Sequence, residues 1–383
     1  MGTIPHALTP SLRIALLVDP LTLRTRGALH APELARELLG RGHVVRGFGA
    51  PPGVIPHSQG GPEPEAGAGR GATFLARFAP QAIVAYDALS PRAWQGARQA
   101  RRSGAALVLV ESGVPGSAGR LHERILQGVG ERLWGGVVRG TARRVVALDP
   151  LARERALAQG FAEERVALVP EGVDVVRFRP GLTSSLVGRR RIRGRILLYV
   201  GPVERGRGLR TLIEAFGRTV GQREDWALVL SGEGSASREL RALGDRIGVG
   251  ARVHHLPRAR PEELPGLLGA STLLAVPDLD PTRARPRTIV RALAAGLPVL
   301  ASELPRLAWF VEPEGTGLLV RPGDRAAWTD AIQRAASSPE MRRRWGARGR
   351  ELAETRFSWA SVGEAFERLL EGELGEEEPG GGS

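Results

Sequence analysis

Short apolar runs alternate with longer stretches of mixed polarity along most of the chain. Runs at 13–18, 44–48, 82–86, 105–110, 144–148 and 166–170 are too short for helices and lack strict polar alternation. That is the pattern of strands buried on both faces, as in a parallel sheet. Between the first two lies APELARELLGRGH (31–43). Pro32 suits a first helical turn, Leu34, Leu38 and Leu39 share one face, and Gly40 or Gly42 suits the exit. A strand–helix–strand opening predicts a right-handed crossover and a parallel sheet.

A second series follows, with strands expected at 196–200, 226–230, 252–256, 272–276, 298–302 and 317–320, and helices among them at 209–220 and 235–248. The pattern predicts an α/β protein of two Rossmann-like, doubly wound domains facing a cleft, with ligand at the strand C-termini. The first domain is expected over 1–180 and the second over 181–355. A closing helix is expected over 356–370, crossing back to the first domain. PPGVIPHSQGGPEPEAGAGRG (51–71) has many breakers and no apolar period, so it reads as a mobile surface loop. EGELGEEEPGGGS (371–383) is acidic and glycine-rich and reads as a disordered tail.

Composition adjusts this picture in three ways. A hydrophobic fraction of 42% in 383 residues suffices for two cores. The absence of cysteine rules out disulfides, thiolate nucleophiles and cysteine-ligated zinc. The chain also has no lysine and no asparagine, so all 54 basic residues are arginine. Codon bias toward G and C accounts for Lys→Arg at any one site, but not for Glu→Arg.

The net charge of +13 predicts an anionic partner. Aromatics are only 5% and do not interleave with the arginines, which disfavours nucleic acid. The segment 1–20 lacks a signal-type pattern, and no apolar run approaches the roughly 20 residues of a membrane span. A soluble, cytoplasmic protein is expected. The run Arg189, Arg190, Arg191, Arg193, Arg195 adds the expectation of a peripheral contact with the anionic inner face of a membrane; its alternative is a solvated face.

Seven segments carry a resemblance, in order: VALVPEGVDVVRFRP (166–180), LYVGPVERGRGLRTLIEAF (198–216), LVLSGEGSASRELRAL (228–243), HHLPRARPEELPGLLGASTLLAVP (254–277), RALAAGLPVLAS (291–302), TGLLVRPGD (316–324) and RFSWASVGEAFERLL (356–370). Together they resemble the family 4 glycosyltransferases of GT-B fold, strongly in the second domain and weakly in the first. The resemblance implies a nucleotide-diphosphate sugar as donor in the second domain. It implies an acceptor (glycan, lipid or small molecule) over the first, and retaining hexosyl transfer with no metal and no cofactor.

Carried over residue by residue, the diphosphate loop is GPVERGRG (201–208). A glycine-rich turn after a strand lets backbone amides and a cation approach a diphosphate. Gly201, Arg205 and Arg207 are the donor-binding candidates there, with Arg258 and Arg291 beyond it; Arg207 stands where the family has lysine, and Pro202 where it has arginine. The family's Glu-x7-Glu motif is held by Arg283 and Arg291, which only donate hydrogen bonds and cannot accept one from a hydroxyl. Asp278 and Asp280 lie just upstream, Asp280 being the candidate to replace the first carboxylate. On the acceptor side the matching positions are Gly27, Tyr86 and Ser112, with Ser112 at a catalytic position of the family. His30, His43 and His122 read as packing or surface residues. Two functions stay open: an active glycosyltransferase, and a catalytically inactive homologue acting as a binding or partner subunit.

Overall fold

The computed structural model of the chain describes residues 11–18, 27–50, 54–56, 58, 70–112 and 128–375. The chain divides into two compact units, residues 1–172 with 359–383, and residues 173–358. No helix among the described residues is long and apolar enough to cross a membrane.

The first unit holds β1 (Arg13–Leu17), β2 (Val44–Phe48), β3 (Ala82–Tyr86), β4 (Ala106–Glu111), β5 (Ala142–Ala147) and β6 (Val166–Leu168). They form one sheet in the order β2-β1-β3-β4-β5-β6, parallel throughout. All of β3 and β4 is buried, as continuous apolar runs covered on both faces must be. The strand order reverses between β1 and β3, which puts a switch point beside Tyr86.

The helix Gly27–Gly40 starts at the glycine singled out above. Its Leu34 and Leu38 share a core with Val362, Phe366 and Leu370 of the helix Trp359–Gly375, which thus returns to the first unit. Polar contacts lock this pairing. Arg41 donates to Glu367 at 2.8 Å and to the Ala360 carbonyl at 2.7 Å. His43 accepts the Leu12 N–H on Nδ1 at 3.2 Å, so the neutral ring carries its proton on Nε2, 3.1 Å from Glu367.

Two expectations need correction here. The last helix continues to Gly375, so 371–375 is not part of a disordered tail. Glu373 holds it down by accepting from Arg144 Nε at 2.5 Å, and Leu374 packs on the core. Within 51–71, Ile55 is buried in the core and Ser58 Oγ accepts the Val45 N–H at 3.1 Å, so this part is pinned to β2 rather than mobile. Most of that loop, the end of the tail and His122 lie outside the described residues.

The second unit holds β7 (Arg195–Val200), β8 (Trp226–Ser231), β9 (Val253–Leu256), β10 (Leu273–Val276), β11 (Val299–Ser302) and β12 (Gly317–Val320). Their order is β12-β11-β10-β7-β8-β9, again parallel throughout. Alternating side chains feed two cores. Leu198, Val229, Leu274 and Val299 face Ile289 and Leu293 of the helix Pro286–Ala294, while Leu197, Leu228, Leu273 and Leu300 face Leu212, Phe216, Trp328 and Trp345.

Residues 173–180, assigned to the first domain from sequence, pack with this unit. Val173 N–H donates to the Phe357 carbonyl at 2.7 Å. Arg350 Nη1 donates to the carbonyls of Val175, Phe178 and Ala294 at 2.8, 2.8 and 2.7 Å. The strand order reverses between β7 and β10, and that is where an open parallel sheet leaves a crevice.

Candidate functional site

β7 runs into the loop Gly201–Gly208, and β10 runs into Pro277-Asp278. These neighbouring strand ends lie in intimate contact. Gly208 has φ of +66°, and a Cβ there would sit 1.9 Å from the Pro277 carbonyl oxygen. Only glycine fits, because the backbone is left-handed and the opposing group is itself backbone. The helix Leu209–Arg218 then begins, with Gly208 as its N-cap.

Arg207 bridges the two loops. Its Nη1 donates to Asp278 Oδ1 at 3.0 Å and to the Arg283 carbonyl at 2.6 Å. Both side chains of the pair are nearly sealed, 6% and 5% exposed. Burial lifts the Asp278 carboxyl above the usual range, with Arg207 opposing that shift. Arg207 Nε is buried with no hydrogen-bond partner among the described residues. Lysine could hold Asp278 as a point charge, whereas the planar guanidinium also reaches the Arg283 carbonyl and keeps a donor unused. Arg205 is the opposite case: it is 86% exposed and rests on Glu239 at 3.2 Å, a carboxylate that Arg210 shares at 2.6 Å.

Gly201 continues β7, its N–H donating to the Ser231 carbonyl at 3.1 Å. A Cβ there would meet the Tyr199 hydroxyl, which donates to the Pro202 carbonyl at 2.8 Å. Pro202, which brings neither charge nor N–H, thus contributes its carbonyl to fixing the loop. Burial, then Asp278, pushes the Tyr199 phenol up, so it stays a neutral donor.

More arginines gather around this bridge. Arg283 is half exposed, with its guanidinium 3.9 Å from both Glu204 and Asp280. Asp280 does not present a free carboxylate at the first family position: its Oδ1 accepts from Thr282 N–H and hydroxyl at 2.8 and 2.7 Å. Arg285 is held below its ordinary value by partial burial first, then by Arg207, with Arg258 adding to the effect. It remains charged at any working pH. Neither Arg258, just past β9, nor Arg285 makes an ion pair or side-chain hydrogen bond among the described residues. Arg291, the other family position, packs its guanidinium over the Phe178 ring at 5.2 Å. Arg306, fully buried, points Nη1 toward the Thr282 carbonyl at 3.5 Å. Neither Arg306 nor Arg285 is among the residues singled out from the sequence.

In the first unit, the acceptor-side positions are mostly enclosed. Tyr86 is buried, and its hydroxyl meets His30 Nδ1 at 2.8 Å. His30 packs edge-on against Tyr86 and Trp359, with ring centroids 5.7 and 5.4 Å away, the packing role expected of it. Burial, then Glu171 and Asp87, raises the Tyr86 phenol. Ser112 is buried just past β4. Beside it Glu111, missed from sequence, is buried and accepts the Ala88 N–H at 2.8 Å. Burial and then Asp87 push its carboxyl up to about 7, against the Ala88 N–H and Arg155. Asp87 has a φ of +59°, a left-handed turn that non-glycine residues seldom adopt. A charged residue ending an apolar run was the available signal. Among the described residues no group of three or more histidine and acidic side chains gathers as a metal cluster.

Two parallel, doubly wound sheets in one chain define the GT-B class of protein. The whole-chain likeness includes a glycosyltransferase from Rickettsia africae, with a TM-score of 0.76 at 14% identity over 96% of this chain and 100% of that one. It also includes Anabaena HepE solved with UDP and glucose, with a TM-score of 0.69 at 18% identity over 94% and 100%. Residues 189–352 match the family "Glycosyl transferases group 1". D-inositol 3-phosphate glycosyltransferases are similar in sequence. That of Corynebacterium jeikeium is 29% identical over 233 residues, 56% of this chain and 55% of the relative. That of Mycobacterium tuberculosis is 31% identical over 248 residues, 63% and 50%. The chain spans about half the length of the curated relatives it matches.

Proposed function

We propose that the protein transfers a sugar from a nucleotide-diphosphate sugar to a hydroxyl acceptor, with retention at the anomeric carbon. The observation that carries this reading is the pair Arg258 and Arg285, cations that make no ion pair or side-chain hydrogen bond among the described residues, beside the Arg207 bridge at the switch point of the second unit. Two guanidinium groups whose donors are not taken up by protein acceptors match a diphosphate in charge and in bidentate geometry. In transfer, the bond from anomeric carbon to phosphate oxygen breaks and its electron pair goes to the diphosphate. The acceptor oxygen bonds to the same face of that carbon and releases its proton to the departing diphosphate oxygen. Fixed cations stabilise the charge that grows on the leaving group. Arg207 has a different part, holding the two loops so that Arg285 stays in place. The HepE structure, solved with UDP and glucose, supports such a donor; the curated relatives support an acceptor hydroxyl carried on a small polar molecule.

The test is thermal denaturation with a panel of nucleoside diphosphates and their sugars, followed by assay for nucleotide release. A ligand bound only by the folded state raises the melting temperature by mass action. The expected result is a shift with one nucleoside diphosphate and release of it when an acceptor is supplied. No shift with any member at millimolar concentration sinks the proposal.

A second reading, binding without turnover, rests on Arg283 and Arg291 at the two carboxylate positions. It predicts the same shift without release for any acceptor.

A further inference from the structure

A second arginine-lined recess lies in the second unit. Its groove of about 410 Å³ is lined by Arg190, Arg241 and Asp245, by Gly244 and Gly250, and by the residues of β9, His254 and His255 among them. It shares no lining residue with the loop Gly201–Gly208 or with Asp278. β9 is the edge strand of its sheet, so the groove opens on a flank that no further strand covers.

Three observations agree on what the groove would take. Arg190 and Arg241 are exposed and form no ion pair or side-chain hydrogen bond among the described residues. In the same arginine-rich stretch Arg189 pairs with Glu263 at 2.9 Å and Arg195 with Asp225 at 2.5 Å, so Arg190 is not simply part of a paired surface. His255 Nε2 is buried with no hydrogen-bond partner among the described residues, the situation that an ordered ion or water relieves. Both imidazoles are held below their ordinary value: His254 by burial and Arg252, His255 by burial, Arg241 and His254, with Asp245 opposing. At neutral pH the groove therefore carries two arginine charges against one carboxylate, with the His255 ring neutral; His254, the preceding residue of β9, projects from the other face of the strand. A bound anion would favour protonation of His255 and so bind more tightly as pH falls.

We propose that this groove is a binding site for a phosphate group, gripped by Arg190 and Arg241 and supported by His255, the ring on the Arg241 and Asp245 side of β9. Two unpaired guanidinium groups beside an imidazole suit a dianionic, tetrahedral oxyanion, which accepts several charge-assisted hydrogen bonds at once. The site stands independently of the donor reading.

The test is titration of inorganic phosphate into the full chain at constant ionic strength, with chloride as replacement, read by NMR of the His254 and His255 ring signals. The expected result is a saturable shift, weakened roughly tenfold or more by Arg241→Glu and by Arg190→Glu, and unchanged by Arg285→Ala. Melting curves establish that the variants fold. A repeat with glycerol 3-phosphate distinguishes the sources. Tighter binding than inorganic phosphate assigns the site to an organic phosphate monoester, equal binding to the free ion. A shift that chloride reproduces, or one that survives both charge reversals, overturns the proposal.

Discussion

Arg207 Nη1 and Asp278 Oδ1 meet at 3.0 Å, joining the turn after β7 to the end of β10 through a nearly sealed ion pair. The same Nη1 also holds the Arg283 carbonyl at 2.6 Å. This bridge fixes the loop that leads to Arg285, so its contributions to stability and to ligand binding can be separated by mutation.

Arg207→Ala is expected to destabilise the second unit by about 3 kcal/mol, because it leaves the Asp278 charge buried without a partner. Replacing both charges, as Arg207→Met with Asp278→Leu, should recover much of that loss. Urea denaturation of the two variants checks this. Equal losses in both would show that the pair is not the source of the effect.

Arg258→Ala and Arg285→Ala should behave in the opposite way. Neither side chain makes an ion pair or hydrogen bond among the described residues, so melting temperatures should stay close to the parent value. Affinity for a nucleoside diphosphate should fall roughly tenfold for each, the size of one charge-assisted hydrogen bond. Calorimetry beside a melting curve reads both quantities. Unaltered affinity in both variants would remove these residues from the donor site.

Gly208→Ala probes the loop contact directly. A methyl group at φ of +66° and 1.9 Å from the Pro277 carbonyl forces β7 and β10 apart at their ends. A loss of at least about 2 kcal/mol is expected from strain of this kind. It should come with loss of nucleoside diphosphate binding. Gly181→Ala is the control, since φ there is +78° but no atom lies within 4 Å of the added Cβ.

Stability of the first unit should depend on pH through Glu111. Burial and Asp87 raise its carboxyl to about 7 in the folded chain, whereas in the unfolded chain it titrates near the ordinary glutamate value. Between those values the folded state binds the extra proton, so stability falls as pH rises. The contribution is complete below the unfolded pKa and is lost as pH passes about 7, amounting to at most about 3 kcal/mol. Glu111→Gln should flatten this part of the profile, as measured by denaturation between pH 5 and pH 8. An unchanged slope in the variant would assign the dependence to another group.

The twelve strands were legible because each is a short apolar run bounded by turn residues, and β2, β3 and β12 fall on the expected positions without change. Periodicity carries that information locally. The chain's return to the first unit was anticipated through the helix over 356–370, but its continuation to Gly375 was not. That extension depends on Glu373 finding Arg144, a contact between residues 229 positions apart, which no local pattern encodes. The boundary near 172 rather than 180 has the same origin, since Arg350 reaches back to the carbonyls of Val175 and Phe178.

The candidate site divides along the same line. Sequence alone determined the α/β class, the two sheets, the glycine turn after β7 and the presence of arginine at positions 283 and 291, all of which are properties of single segments. Only the tertiary structure decided which arginines are spent on protein partners and which are not. Arg205 lies on Glu239, Arg207 is buried against Asp278 and Arg291 is stacked on Phe178, while Arg258 and Arg285 remain unpaired among the described residues. The physical reason is that every guanidinium carries the same charge and donors. Its role is set by the acceptors that distant segments bring within about 3 Å.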